Sequence, residues 1–193
     1  MRKPNHRLIR NAALVAMAWF LSIMGSYRED ASPAVGSDST SLTLTTKAFQ
    51  ANGPIPQPYS CEGPDISPEL DWSNAPAKTR SFALILEDPD APGGTWVHWV
   101  VYDLPAGAHH LQAGIPRRDD IEGGGRQGDN DFGRVGYNGP CPPPGPPHRY
   151  FFRLYSLDTV LNLRGRVQKI AAEQGMKGHV LAQTELMGTY QRK

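Results

Sequence analysis

Cysteine is scarce in this 193-residue chain: Cys61 and Cys141 are its only two. Neither has a cysteine partner at Cys-x-x-Cys spacing or a histidine at ligand distance in the chain, which excludes a zinc ribbon or finger. Neither charge sign dominates, with 20 Lys and Arg against 19 Asp and Glu. A chain without a basic stripe has no electrostatic grip on nucleic acid. No apolar run reaches the roughly 20 residues that a membrane-spanning helix needs. P-loop, His-Glu-x-x-His and Gly-x-Ser-x-Gly signatures are all missing. Residues 123–128 (GGGRQG) satisfy Gly-x-Gly-x-x-Gly in letters only. No strand pattern precedes them and no helix pattern follows, so they read as a loop. There is no internal repeat.

Glycine and proline are abundant, at 20 and 18 residues. That composition favours strands and loops over a helical bundle, and the length suits one domain with a real core. The first 26 residues stand apart. Arg2, Lys3, Arg7 and Arg10 precede an apolar run over 12–24 broken only by Ser22. This is the pattern of a signal peptide, or of a signal anchor where no cleavage follows. The expectation is an exported protein, periplasmic or secreted, and membrane-tethered if the leader stays on. Taking those four charges from the net +1 leaves −3 for the remainder. Residues 27–40 have the composition of a flexible tether, and the folded domain is expected over 41–193. In an oxidising compartment, Cys61 and Cys141 read either as a disulfide or as two unbridged thiols. A bridge of that span contributes about 4 kcal/mol in the chain-entropy model.

Alternation at Leu42, Leu44 and Thr46 predicts a half-buried strand. Residues 50–69 form a long loop, studded with prolines, of the kind that is usually functional or pinned. A short strand is expected near 70–72. Residues 81–87, 96–104 and 149–157 read as strong strands, the first two apolar on both faces and hence central in a sheet. Only the tail looks helical: Val167, Ile170 and Ala171 fit a helical period that stops at Gly175, and a second short helix is expected over 177–186. The fold class is mostly β, with one or two short C-terminal helices.

Chemistry concentrates where the strong strands begin or end. Asp88 and Asp90 follow the 81–87 strand. His98 interrupts the run Trp96-Val97-His98-Trp99-Val100-Val101, with the parity of Trp96 and Val100. His148-Arg149-Tyr150 opens the last strong strand. An imidazole in so apolar a strand needs a partner, and the carboxylates upstream are the nearest candidates. The residues alone leave two readings, a hydrogen-bonded core network or the floor of a site. Gly139-Pro140 removes a side chain where something approaches closely. His109 and His110 read as solvated loop residues, and Asp-Pro-Asp alone is an ordinary turn signal.

Five segments occur in order: 61–72 (CEGPDISPELDW), 88–92 (DPDAP), 96–101 (WVHWVV), 139–143 (GPCPP) and 148–150 (HRY). Together they resemble the phosphatidylethanolamine-binding protein family, in its bacterial, Raf-kinase-inhibitor-like branch, over about residues 41–191. Gly188-Thr189-Tyr190 resembles that branch's terminus. The resemblance implies a large central β-sheet packed on a smaller one, and a small pocket at one end that takes anions and phosphorylated head groups. By position its residues are Asp88, Asp90, His98, Gly139, Pro140, His148 and Tyr150. The leader is not general in the family, and the Gly-rich segment 119–136 also departs from it.

Two carboxylates beside a phosphate repel it unless a proton or cation intervenes. The workable arrangement is an imidazolium at His98 or His148 held by Asp88, with the Tyr150 hydroxyl and backbone N–H groups near Gly139 donating to the ligand. The expectation is a non-catalytic binding module for a small anionic or phosphorylated ligand, acting as an inhibitor or regulator of another protein. No cofactor, metal or nucleic-acid partner is expected, and a homodimer is left open. The alternative is a phosphoester hydrolase that uses the Asp/His cluster for acid–base or metal chemistry.

Overall fold

The computed structural model describes residues 41–192. The expected leader (1–26) and tether (27–40) lie outside them. Eight strands and one helix follow in the order β1 (Thr43–Thr45), β2 (Leu70–Ser73), β3 (Ser81–Asp88), β4 (Trp96–Pro105), β5 (His110–Leu111), β6 (Arg126–Gln127), β7 (His148–Leu157), α1 (Lys169–Met176) and β8 (Val180–Tyr190). A single 3-10 turn spans Gln57–Tyr59.

The strands form two antiparallel sheets. The smaller has the order β1-β2-β5 and the larger β6-β4-β3-β7-β8. All eight residues of β3 are buried, because it lies inside the large sheet, with the small sheet against one face and α1 against the other. Phe82, Leu84 and Leu86 join Leu44, Leu70 and Trp72 of the small sheet in one core, while Ala83 and Ile85 pack with Val167, Ala172 and Met176 around α1 in another. The order of layers is small sheet, large sheet, helix. An apolar run on both faces is the sequence consequence of that sandwiched position.

The expected second helix over 177–186 is absent; those residues lead into and form β8, paired with β7 from Val180↔Leu157 to Tyr190↔His148. Leu186, Gly188 and Tyr190 are buried and alternate with less buried neighbours, a period of two that the tertiary contact with β7 enforces. In α1, the core face is Ala172 and Met176 rather than Ile170, which is exposed. Lys169 instead reaches Glu87 of β3 at 2.6 Å, beside Arg153. His110 is also not merely solvated: it sits in β5 and donates to Asp71 of β2 at 2.8 Å. The long 50–69 segment is pinned. Asn52 and Ile55 donate main-chain N–H groups to Met187 and Thr189 of β8, and Cys61 is joined to Cys141 by a disulfide.

Candidate functional site

Strand order decides what meets at the end of β3. Antiparallel β4 and β7 flank it on either side, so both begin where β3 ends. Asp88 is the last residue of β3, His98 the third of β4 and His148 the first of β7. Three chain-distant residues converge on one rim of the sheet for that reason alone.

A bulge aims His98. Leu86 lies opposite Trp99 and Glu87 opposite Val97, which leaves His98 as the extra residue on β4. The bulge breaks the expected parity of His98 with Val100. Val100 belongs to the helix-side core with Val97, whereas the His98 ring packs edge-on against Tyr150 of the other core, centroids 5.2 Å apart. Phe132 covers it from another side at the same separation.

The two histidines are held differently. His148 donates from Nδ1 to Oδ2 of Asp88 at 2.8 Å, and Oδ1 of Asp88 accepts the Asp90 N–H. His98, only 2 % exposed, donates from Nδ1 to the carbonyl of Asn138 at 2.8 Å, with that of Gly139 at 3.1 Å. Burial pushes its pKa below the usual histidine value; the Asn138 hydrogen bond and the Asp88 charge offset this in part. His98 is therefore the neutral imidazole, with the proton on Nδ1. Asp88 is thus hydrogen-bonded to His148 and not to His98, which rests on main-chain carbonyls.

Tyr150 is fully buried and its hydroxyl has no hydrogen-bond partner. Burial first, and then the nearby Asp88 charge, push its pKa far up, so it stays a neutral donor. Contrary to the expectation that it donates to a ligand, Tyr150 does not line the cavity that Asp88, His98 and His148 share; its ring instead packs against that of His98.

Asp88, His98 and His148 line a cavity of about 260 Å³ together with Ala91, Pro92, Gly93, Trp96, Phe132, Cys141, Pro142 and Pro143. Its polar groups are few and its walls mostly apolar, as in small-ligand sites. Trp96 and Phe132, stacked edge to face at 5.5 Å, are its large exposed side chains.

The other expected residues, Asp90, Gly139 and Pro140, do not line this cavity. Asp90 forms a two-pronged pair with Arg149, 2.6 and 2.9 Å long, and does not line it. The Arg149 hydrogen bond holds the Asp90 carboxyl at about 2, below its ordinary 3.8. Gly139 is a glycine because the Tyr59 carbonyl lies where its Cβ would be, 2.0 Å away, so the close approach is internal and not a ligand's. Its N–H is also taken, by Oδ1 of Asp65 at 2.7 Å, which removes the amide expected to donate to an anion. The Pro140 carbonyl accepts the N–H of Cys61.

Asp65 had no signal in the sequence beyond its place in the 61–72 segment. Its carboxylate receives Gly139 N–H, Asn138 Nδ2 at 3.2 Å and the Arg117 guanidinium. It thus fixes the turn whose two carbonyls fix His98. Phe132 and Asn138 were likewise invisible, one in a Gly-rich loop and the other acting through its main chain.

Fold and site together define a class: a two-sheet antiparallel β domain with a small histidine-lined cavity where its central strands end. The chain belongs to the phosphatidylethanolamine-binding protein family, whose model matches residues 45–191. It is 46% identical to a UPF0098 protein of Methanothermobacter thermautotrophicus, covering 78% of this chain and 99% of that one. A UPF0098 protein of Aquifex aeolicus is 45% identical over 78% of this chain and 89% of its own. Among solved structures, a putative phosphatidylethanolamine-binding protein homolog from Chlamydia trachomatis superposes with a TM-score of 0.73 at 42% identity, covering 79% of this chain and 99% of that one. Escherichia coli YbcL, described as a member of the mammalian PEBP family, gives 0.72 at 33% identity with the same coverages. None of these descriptions names a reaction.

Proposed function

We propose that this chain is an exported binding protein whose pocket takes phosphate or a phosphorylated head group without turning it over. The observation that carries this is the pair of buried imidazoles lining one cavity with both Nδ1 atoms already engaged. Each ring has only Nε2 left for a ligand. Neutral His98 offers an acceptor there, and His148, whose Nδ1 is held by Asp88, offers a donor with positive charge whenever its Nε2 carries a proton. A singly protonated phosphate has one hydroxyl to give to His98 and anionic oxygens to take from His148, and a phosphodiester keeps the second of these contacts. The apolar lining, with Trp96 and Phe132, suits a phosphate that carries an apolar group.

Turnover is not favoured by the lining. It contains no serine or threonine, and Cys141 is held in the disulfide, so no hydroxyl or thiolate nucleophile is presented. Among the described residues, no group of three His, Cys, Asp or Glu side chains is placed to hold a metal ion. The basic-then-apolar leader and the disulfide support export. Regulation of another protein is the output that the Raf-kinase-inhibitor-like resemblance suggests.

Calorimetric titration with dimethyl phosphate, which does not itself titrate near neutrality, isolates the histidine. Binding should be at least several-fold tighter at pH 5.5 than at pH 8; equal affinity at both overturns the reading. Release of phosphate from a phosphomonoester with added divalent metal, lost in His98→Ala, would favour the hydrolase.

A further inference from the structure

A cavity larger than the Asp88–His148 one lies elsewhere. A cleft of about 540 Å³ opens between the pinned 54–62 segment and the C-terminal end of β8. It shares no lining residue with the Asp88–His148 cavity.

Its polar groups are organised around one charge. Glu62 is the only ionisable carboxylate that lines it, and it forms no ion pair among the described residues. Its Oε2 accepts the Tyr190 hydroxyl at 2.5 Å, and Ser60 Oγ lies 2.8 Å behind that hydroxyl. Burial and the Glu62 hydrogen bond push the Tyr190 pKa up, so the phenol remains a donor and the carboxylate stays fixed. Two amides flank it. Gln57 Nε2 is anchored on the Glu62 main-chain carbonyl at 3.0 Å, and Gln191 Nε2 on that of Gly145 at 2.8 Å. Anchoring each amide by its nitrogen leaves the oxygen, Oε1, without a partner. Arg192, the cation next along the chain, is exposed and does not line the cleft, although its charge is felt at the Tyr190 hydroxyl. Pro54, Ile55 and Pro147 supply apolar wall.

A carboxylate held in place, two free amide oxygens and no lining cation repel an anion and suit a positively charged donor. A bare divalent ion is a poor fit, because one carboxylate cannot supply the oxygen shell that calcium or magnesium takes. The proline and isoleucine walls are matched by an alkyl stem behind a charged head. We propose that this cleft is a second binding site, for an organic cation with an ammonium or guanidinium head on an aliphatic stem, and that Glu62 is its counter-charge. The same head and stem belong to small free amines and to lysine or arginine side chains on another protein.

Agmatine and a blocked Gly-Arg-Gly peptide separate those sources. Amide chemical shifts of the ¹⁵N-labelled protein are followed while each is titrated, with inorganic phosphate as the control for the other cavity. Saturable shifts are expected at Gln57, Glu62 and Gln191, and not at His98 or Phe132 of the other cavity. Similar affinities indicate recognition of the free head and stem, and a tighter peptide points to a protein side chain. Glu62→Gln keeps the size and the Tyr190 contact, and should weaken binding about fivefold or more. Tyr190→Phe, which frees the carboxylate, should weaken it less. No saturable shift from either probe, or the same affinity in a folded Glu62→Gln protein, overturns the proposal.

Discussion

His148 and Asp88 meet at 2.8 Å although 60 residues separate them, and both side chains are almost wholly buried. Removing one partner leaves the other buried and unsatisfied. Asp88→Asn should lower stability by about 2 kcal/mol and abolish the preference of phosphodiester binding for acidic pH. Denaturant unfolding reads the first effect and calorimetry at two pH values the second.

Asp65 reaches His98 only through the turn at 138–139. Asp65→Ala should release that turn and free the Nδ1 proton from a single position, while leaving the histidine itself in place. The ¹⁵N shifts of the His98 ring report this directly: one well-defined tautomer in the parent, a mixture in the variant. Phosphate affinity should fall along with it. A purely structural Asp65 predicts lost stability with an unchanged tautomer.

Acid should destabilise the fold in two stages. His98 has its pKa lowered by burial, so below its ordinary 6.5 the unfolded chain takes up a proton that the folded chain resists. Stability is then complete above that value and falls as the pH drops beneath it. Asp90, held at about 2 by Arg149, contributes above 3.8 and loses its contribution as the pH falls toward 2. Unfolding midpoints measured across this range should fall in both windows. His98→Gln should flatten the upper decline and leave the lower one intact.

Cys141 lines the ligand cavity while bonded to Cys61 across 80 residues of chain. Replacing both with serine should cost about 4 kcal/mol in the chain-entropy model and also weaken phosphate binding, since one wall loses its tie. Thermal melts with and without phosphate separate the two effects. A variant that melts lower but gains the same ligand-induced shift would confine the disulfide to stability.

The central strands were legible because a strand sandwiched between two layers must be apolar on both faces, as 81–87 and 96–104 are. The tail was not. Residues 180–190 carry a period of two only where β7 covers them, and that cover is non-local. Which histidine pairs with Asp88 depends on strand order and on one bulge, neither of which is written in local pattern. Asp65 escaped notice for a similar reason: its partners are a main-chain amide and an asparagine more than 70 residues away. The segments that marked the family were the visible trace of those distant contacts.

Asp88 terminates a strand that has no solvent face. It cannot shift without dragging its neighbours on both sides, whereas Phe132, Pro142 and Pro143 stand on loops outside the sheet. The cavity therefore divides into a stationary anchor and an exchangeable collar. Substitutions in the collar can alter which molecule is admitted while the charge chemistry at its base is left as it was, so a change of ligand does not require a change of frame.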